Sequence, residues 1–219
     1  MQTSLTQSVF FDLGEAVPVK SAIVKLQSRG EVVDVTDIQR SLDPGRGRLN
    51  PAVGQFRDVL LLLSRLKAEG VIHDYAIGGA VAVSLWAEPV ATQDLDVIVT
   101  VAGGAHPLDP LRPLLDWFNQ HEHAFVGEHI LIAGVPVQFL VAWSPLVVEA
   151  VASAAETAYD PADPQSPTIR LIRPTYLVAM WQTDQGADTP RRRERVARLR
   201  EAGLVDDTLL TELFSRTKT

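Results

Sequence analysis

Apolar residues recur at three- and four-residue steps between Pro51 and Glu69, at Phe56, Val59, Leu60, Leu63 and Leu66. That period sets them on one face of an amphipathic helix, and Gly70 stops it. Tyr75-Ala76-Ile77 then reads as a short buried strand ending in Gly78-Gly79, followed by a helix of small residues over Ala80–Trp86. Over Gln93–Val101 the pattern changes to alternation. Leu95, Val97, Val99 and Val101 share one face; the other begins with Asp94 and Asp96 and continues with Ile98. Such a strand is polar on one side in its first half and buried on both sides in its second. Further along, Leu108–His121 reads as a helix with Pro110 near its first turn. Ile130–Ala133 and Val135–Val141 read as antiparallel strands about an Ala133-Gly134 turn. Leu146–Ala158 is an alanine-rich stretch that predicts a helix, Asp160–Pro167 a loop, and Thr168–Ile172 a short strand. Pro174–Gln182, Pro190–Ala202 and Asp206–Arg216 predict three more helices, the last two divided by Gly203.

Strands gathered in the middle and helices at both ends predict an α/β (α+β) fold, a small mixed sheet flanked by helices with a helical C-terminal part. The expected divisions are an N-terminal appendage over 1–50, a core over 51–165 and the helical part over 166–219. The appendage holds short apolar runs (Val9–Phe11, Ala22–Leu26, Val32–Val35) and a breaker cluster at Asp43–Gly47. Ser21–Gln27 and Thr36–Leu42 suit two short helices, either a DNA-contacting pair or a plain packed pair. The 219 residues include 20 Lys+Arg against 27 Asp+Glu, a net charge of −7, and no cysteine. An acidic chain is a poor general coat for nucleic acid, although a local basic patch remains open. Without Cys there is no thiolate metal site, disulfide or Cys nucleophile. No apolar run is long enough for a membrane span, and the first residues lack a secretory pattern, so the cytoplasm is the expected location.

The chemistry concentrates in Tyr75–Thr100. Alternation points Asp94 and Asp96 to the same side of their strand. Two neighbouring carboxylates repel unless a cation lies between them. Mg²⁺ suits that place, because one or two carboxylates plus substrate phosphates hold it. Gly78 and Gly79 let backbone N–H groups approach a phosphate, and the helix that starts there adds its positive end. Taken singly, a Gly-Gly is also an ordinary tight turn and an Asp-x-Asp an ordinary solvated face. The order strand, Gly-Gly, helix, then Asp-x-Asp within an apolar strand is far more specific.

Gly78-Gly79 followed by Asp94-Leu95-Asp96 resembles the hG[G/S]…Dh[D/E]h signature of the nucleotidyltransferase (DNA polymerase β-like) superfamily. Thr92 resembles the Thr that often precedes the acidic pair in AbiE-type members. Residues 135–151 and 171–183 look like the central strand and first C-terminal helix of AbiE-type and related minimal nucleotidyltransferase-like proteins, some of them toxins of toxin–antitoxin pairs. The resemblance spans roughly residues 55–215. It implies that Asp94 and Asp96 are catalytic and bind Mg²⁺, and that Gly78, Gly79 and Thr92 contact the nucleotide. It further implies a nucleoside triphosphate substrate, a protein, RNA (tRNA among them) or small-molecule hydroxyl as acceptor, and possible antitoxin pairing. Members place a third carboxylate on a neighbouring strand, and Gln138 stands at that position here. Trp181 and Arg191-Arg192-Arg193 stand near places where AbiE-like relatives carry a Lys and a Lys-Asp pair. Asp184 or Asp188 could supply a replacement acid.

The function expected is therefore Mg²⁺-dependent transfer of a nucleoside monophosphate from a triphosphate to a hydroxyl. The alternative is a catalytically degenerate relative that binds a nucleotide or a partner protein, which Gln138, Trp181 and Arg192 favour. Other features carry lesser readings. His121-x-His123, near His106 and His129, could bind a metal on a strand or be a solvated pair. Arg191–Arg193 with Arg195, Arg198 and Arg200 could contact phosphate or RNA, or form a solvated helix face. Trp143 and Trp181 suit core, interface or base stacking. No Walker Gly-Lys-Ser/Thr and no G-x-S-x-G elbow occurs.

Overall fold

The computed structural model describes residues 51–87, 92, 94–101, 109–184 and 189–217. The readings of residues 1–50, the Gly103-Gly104 turn, His106 and Asp188 lie outside the described residues. The chain runs α1 (Pro51–Ala68), β1 (Asp74–Ile77), α2 (Gly79–Trp86), β2 (Leu95–Thr100), α3 (Arg112–Gln120), β3 (Phe125–Val126), β4 (His129–Ile132) and β5 (Val135–Val141). It continues through α4 (Pro145–Ala152), β6 (Ala155–Ala158), β7 (Thr168–Leu171), α5 (Pro174–Thr183), α6 (Pro190–Glu201) and α7 (Asp207–Thr217). The seven strands form one mixed sheet in the order β3-β4-β5-β2-β1-β7-β6. β2 pairs antiparallel with β1 and parallel with β5, while β7 lies parallel to β1 on its other side. The expected α/β class is the one observed. No helix among the described residues is long and apolar enough to cross a membrane.

The periodic apolar positions explain the core. Val59, Leu60, Leu63 and Leu66 of α1 are fully buried, and α1 packs along β4, β5 and β7. In β2 the alternation holds, with Leu95, Val97 and Val99 buried. α3 covers the face that bears Phe139, where the Phe118 ring lies 5.3 Å from that of Phe139. Opposite Leu95 and Val97 on the strand, the second half of β2 buries Ile98 as well, as the loss of polarity along that face requires.

Two elements depart from the sequence reading. The helix expected over 108–121 begins only at Arg112, where Pro113 fits the first turn with its fixed φ. The alanine-rich stretch 146–158 is not one helix. α4 ends at Ala152, and Ala155–Ala158 turns back as β6 to pair antiparallel with β7. Local composition favours a helix there, but tertiary pairing overrides it. Arg170 of β7 supplies a reason. Its Nε donates to the Tyr75 carbonyl at 2.9 Å, and its Nη2 reaches Asp74 at 2.9 Å and the Val151 carbonyl at 3.2 Å. Its Nη1 pairs with Glu156 of β6. One guanidinium thus adds a donor to a carbonyl in the last turn of α4, which also accepts from the Ala154 N–H at 3.2 Å, and fastens β6, β7 and β1 together. Phe125 and Val126, for which the sequence pattern predicts no element, form the short edge strand β3, and both side chains are exposed.

Replacing Arg170 by Ala should lower stability by about 3 kcal/mol, because a mostly buried charge cluster loses its cation. Urea denaturation followed by circular dichroism measures this; a loss under about 1 kcal/mol would show that the clamp is dispensable.

Candidate functional site

Gly78 and Gly79 form the turn from β1 into α2. The Gly78 N–H donates to the Asp96 carbonyl at 2.9 Å, which extends the β1–β2 ladder by one residue. Gly79 has φ +58, a left-handed conformation that L residues rarely adopt. A Cβ built on Gly79 would fall onto the Asp96 carboxylate, 2.6 Å from its Cγ. Only a glycine permits this turn to pass directly over that side chain. The turn and the acidic pair, separate motifs in the sequence, are therefore one site.

Asp96 lies on β2 and Asp94 just before it. The Thr92 hydroxyl donates to Asp94 Oδ1 at 2.7 Å, so this hydroxyl orients the carboxylate. The other oxygen, Oδ2, lies 3.4 Å from His129 Nε2. Burial, and then the neighbouring Asp94, push the Asp96 carboxyl above its ordinary value. The parallel register sets Asp96 opposite Gln138 of β5. The position where the resemblance implies a third carboxylate is thus beside Asp96, and it holds a neutral amide that is neither a base nor a strong Mg²⁺ ligand. One step beyond the Ile130–Val137 pair, His129 of β4 stands next to Gln138.

The basic cluster of α6 reaches the same place. Thr189 caps this helix by accepting from the Arg192 N–H at 3.2 Å. Leu199 is fully buried and Val196 packs on the core, which turns Arg192 and Arg195 inward. Arg192 pairs with Asp184 at 2.8 Å, so Asp184 is held away from the role of a replacement acid. Arg198 pairs with Glu194, and Arg200 with Asp207. Arg195 is half-buried, and its buried Nε has no hydrogen-bond partner among the described residues. Burial pulls the Arg195 guanidinium down from its ordinary value, while Asp96 and Asp94 oppose that shift.

Other candidates fall elsewhere. The His121 ring stacks on Trp117 at 3.8 Å, with Nδ1 2.8 Å from the Trp117 carbonyl and Nε2 3.3 Å from Arg65. His123 stacks on the far side of the same neighbourhood, 6.0 Å from Trp117. Both histidines belong to an aromatic surface cluster and do not form a metal pair. Trp181 packs against the core. Trp143 is 70% exposed. Among the described residues no group of three or more His, Asp or Glu is placed to hold a metal. His129 and Arg195 are the residues sequence reasoning undervalued. Counting back from the Ala133-Gly134 turn would have found His129, since the hairpin register fixes its neighbour.

No protein-family model and no curated protein matches the chain. Among solved structures it is similar to an antigenic nucleotidyltransferase-like protein from Paracoccidioides brasiliensis. That likeness has 18% identity over 68% of this chain and 75% of that one, with a TM-score of 0.43. It is also similar to ANT(2")-Ia in complex with adenylyl-2"-tobramycin, 15% identical over 77% of this chain and 99% of that one, with a TM-score of 0.44. Neither likeness identifies an activity for this chain.

Two outcomes follow from the geometry. Gly79→Ala should cost at least about 1 kcal/mol from the left-handed backbone alone, with more from displacing Asp96; an unchanged urea midpoint would refute the close approach. The raised Asp96 carboxyl means the folded chain binds that proton more tightly than the unfolded one. Its contribution therefore erodes as pH rises from about 4 through the raised value. Asp96→Asn in metal-free buffer should match wild type at low pH and exceed it in stability near neutrality. A stability difference independent of pH would contradict this.

Proposed function

We propose that this protein binds a nucleoside triphosphate as its Mg²⁺ complex and transfers the nucleoside monophosphate to an acceptor hydroxyl. The observation that supports this most is the merging of the Gly78-Gly79 turn with the Asp94–Asp96 pair. Backbone N–H groups at the start of α2 suit phosphate oxygens, and the Asp96 carboxylate lies directly against Gly79. The residues fit a magnesium ion. Two carboxylates, one of them raised by burial and then by its partner, leave the remaining coordination to phosphates and water. Bound there, the ion would neutralise charge developing at the α-phosphate. Thr92 holds Asp94 in place for this, and Gly79 leaves room for Asp96. In the transfer, the acceptor oxygen bonds to the α-phosphorus, the bond to the bridging oxygen breaks, pyrophosphate departs and the hydroxyl proton passes to water. The resemblance adds tRNA or protein as acceptors and an antitoxin as partner.

Gln138 supports a second reading, in which the site binds the nucleotide without turning it over. No carboxylate among the described residues stands on β5 beside Asp96 to activate a hydroxyl.

Calorimetric titration of each of the four nucleoside triphosphates, with and without Mg²⁺, tests the proposal. Mg²⁺ should strengthen binding, and that Mg²⁺-dependent gain should vanish in the double variant Asp94→Asn/Asp96→Asn. Label from an α-labelled triphosphate should then appear on an acceptor. Binding without transfer, with transfer gained in Gln138→Glu, would establish the second reading. The absence of triphosphate binding would sink both.

A further inference from the structure

Among the arginines of α6, Arg195 differs from those that are paired. Arg192, Arg198 and Arg200 each pair with a carboxylate: Asp184, Glu194 and Asp207 respectively. Arg195 has no ion pair or hydrogen bond at its buried Nε among the described residues. A buried N–H that leaves water without gaining a partner costs stability, and a guanidinium is an expensive group to treat so. Its position follows from the helix. Arg195 lies between Arg192 and Leu199 on the inward face, and α6 packs against α2, the helix that begins at Gly79. Asp96 and Asp94 are the carboxylates whose charge acts on it most strongly. Yet neither carboxylate lies within ion-pairing distance of it. A cation held near two carboxylates, but not joined to them, has two consequences. It lowers the attraction of that pair for a second cation. It also leaves its buried Nε–H without an acceptor among the described residues.

Resting on the nucleotide reading above, we propose that Arg195 is a metal-independent anchor for a polyphosphate tail, and that it holds divalent cations off Asp94 and Asp96 until a polyphosphate engages it. A guanidinium suits this task because its planar donors match phosphate oxygens two at a time. Once those donors turn to phosphate, the phosphate charge offsets the guanidinium, and the carboxylate pair regains its full field. Metal and polyphosphate then bind cooperatively, by reciprocal coupling. The cost of the unpartnered Nε is relieved only in the loaded state.

The test uses the full chain and two ligands in separate experiments. Inorganic tripolyphosphate is titrated by calorimetry in EDTA, and Mn²⁺ alone by electron paramagnetic resonance. Arg195→Met should weaken tripolyphosphate binding roughly ten- to a hundredfold and strengthen binding of Mn²⁺ alone about threefold or more. Arg195→Lys, which keeps the charge but not the planar donors, should leave Mn²⁺ affinity near wild type and recover only part of the tripolyphosphate affinity. Thermal unfolding should show Arg195→Met at least as stable as wild type, whereas a purely structural arginine would leave it less stable. Unchanged affinities for both ligands in Arg195→Met, or a loss of stability without them, would overturn the proposal. If wild type still binds nucleoside triphosphates with Mg²⁺ in that case, the nucleotide reading survives. If Asp94→Asn/Asp96→Asn leaves the Mg²⁺-dependent gain in triphosphate affinity intact, that reading fails on its own account.

Discussion

The missing side chain of Gly79 governs the site. The carboxyl group of Asp96 occupies the region where any other residue would place its Cβ. β1 can therefore turn straight into α2 above β2, and the Gly78 N–H can still join the ladder at Asp96. Everything near the site is set from that crossing. β2 is fixed in register with β5, which sets Gln138 beside Asp96 and His129 beyond it. α2 lies where α6, the helix that carries Arg195, can pack on it. A wider turn would separate the backbone donors from the acids by several ångströms and leave two unrelated surface features.

The local chemistry is costly in isolation. Asp96 is partly buried beside another carboxylate, and Arg195 keeps a buried donor unpartnered. Such features persist only where the surrounding packing over-determines them. The packing here does so. Leu95, Val97 and Val99 anchor β2 from the opposite face, Leu199 anchors α6, and Arg170 pins β1 between β7 and α4. The rigid apolar frame holds charges where water alone would let them drift apart.

Much of this was legible in the sequence because its signals were periodic. The 3.6-residue stripe of α1, the alternation in β2 and the hairpin about Ala133-Gly134 all reappear with boundaries shifted by a residue or two. β6 was hidden because its residues, Ala155–Ala158, carry no strand signal of their own; Arg170, fifteen residues later, and pairing with β7 define it. β3 was hidden for the same reason, as two residues cannot show a period. The acidic pair and glycines could be named, but not their contact, because a close approach depends on how two strands register. Arg195 looked like one arginine among six. Only the partners of its neighbours distinguish it.

The sheet order also dictates when the parts of the molecule can meet. β1 and β2 are close in the chain and neighbours in the sheet, and β5 follows before β7 is made. β7, which covers the other edge of β1, is made far later, and α6 later still. A chain emerging from the ribosome can thus shape its glycine turn and carboxylates early, with one edge of β1 uncovered. An uncovered strand edge is a template for wrong pairing. Thr168–Leu171 closes that edge, with Arg170 fastening it. The anionic half of the cleft therefore takes form before its cationic half has been synthesised.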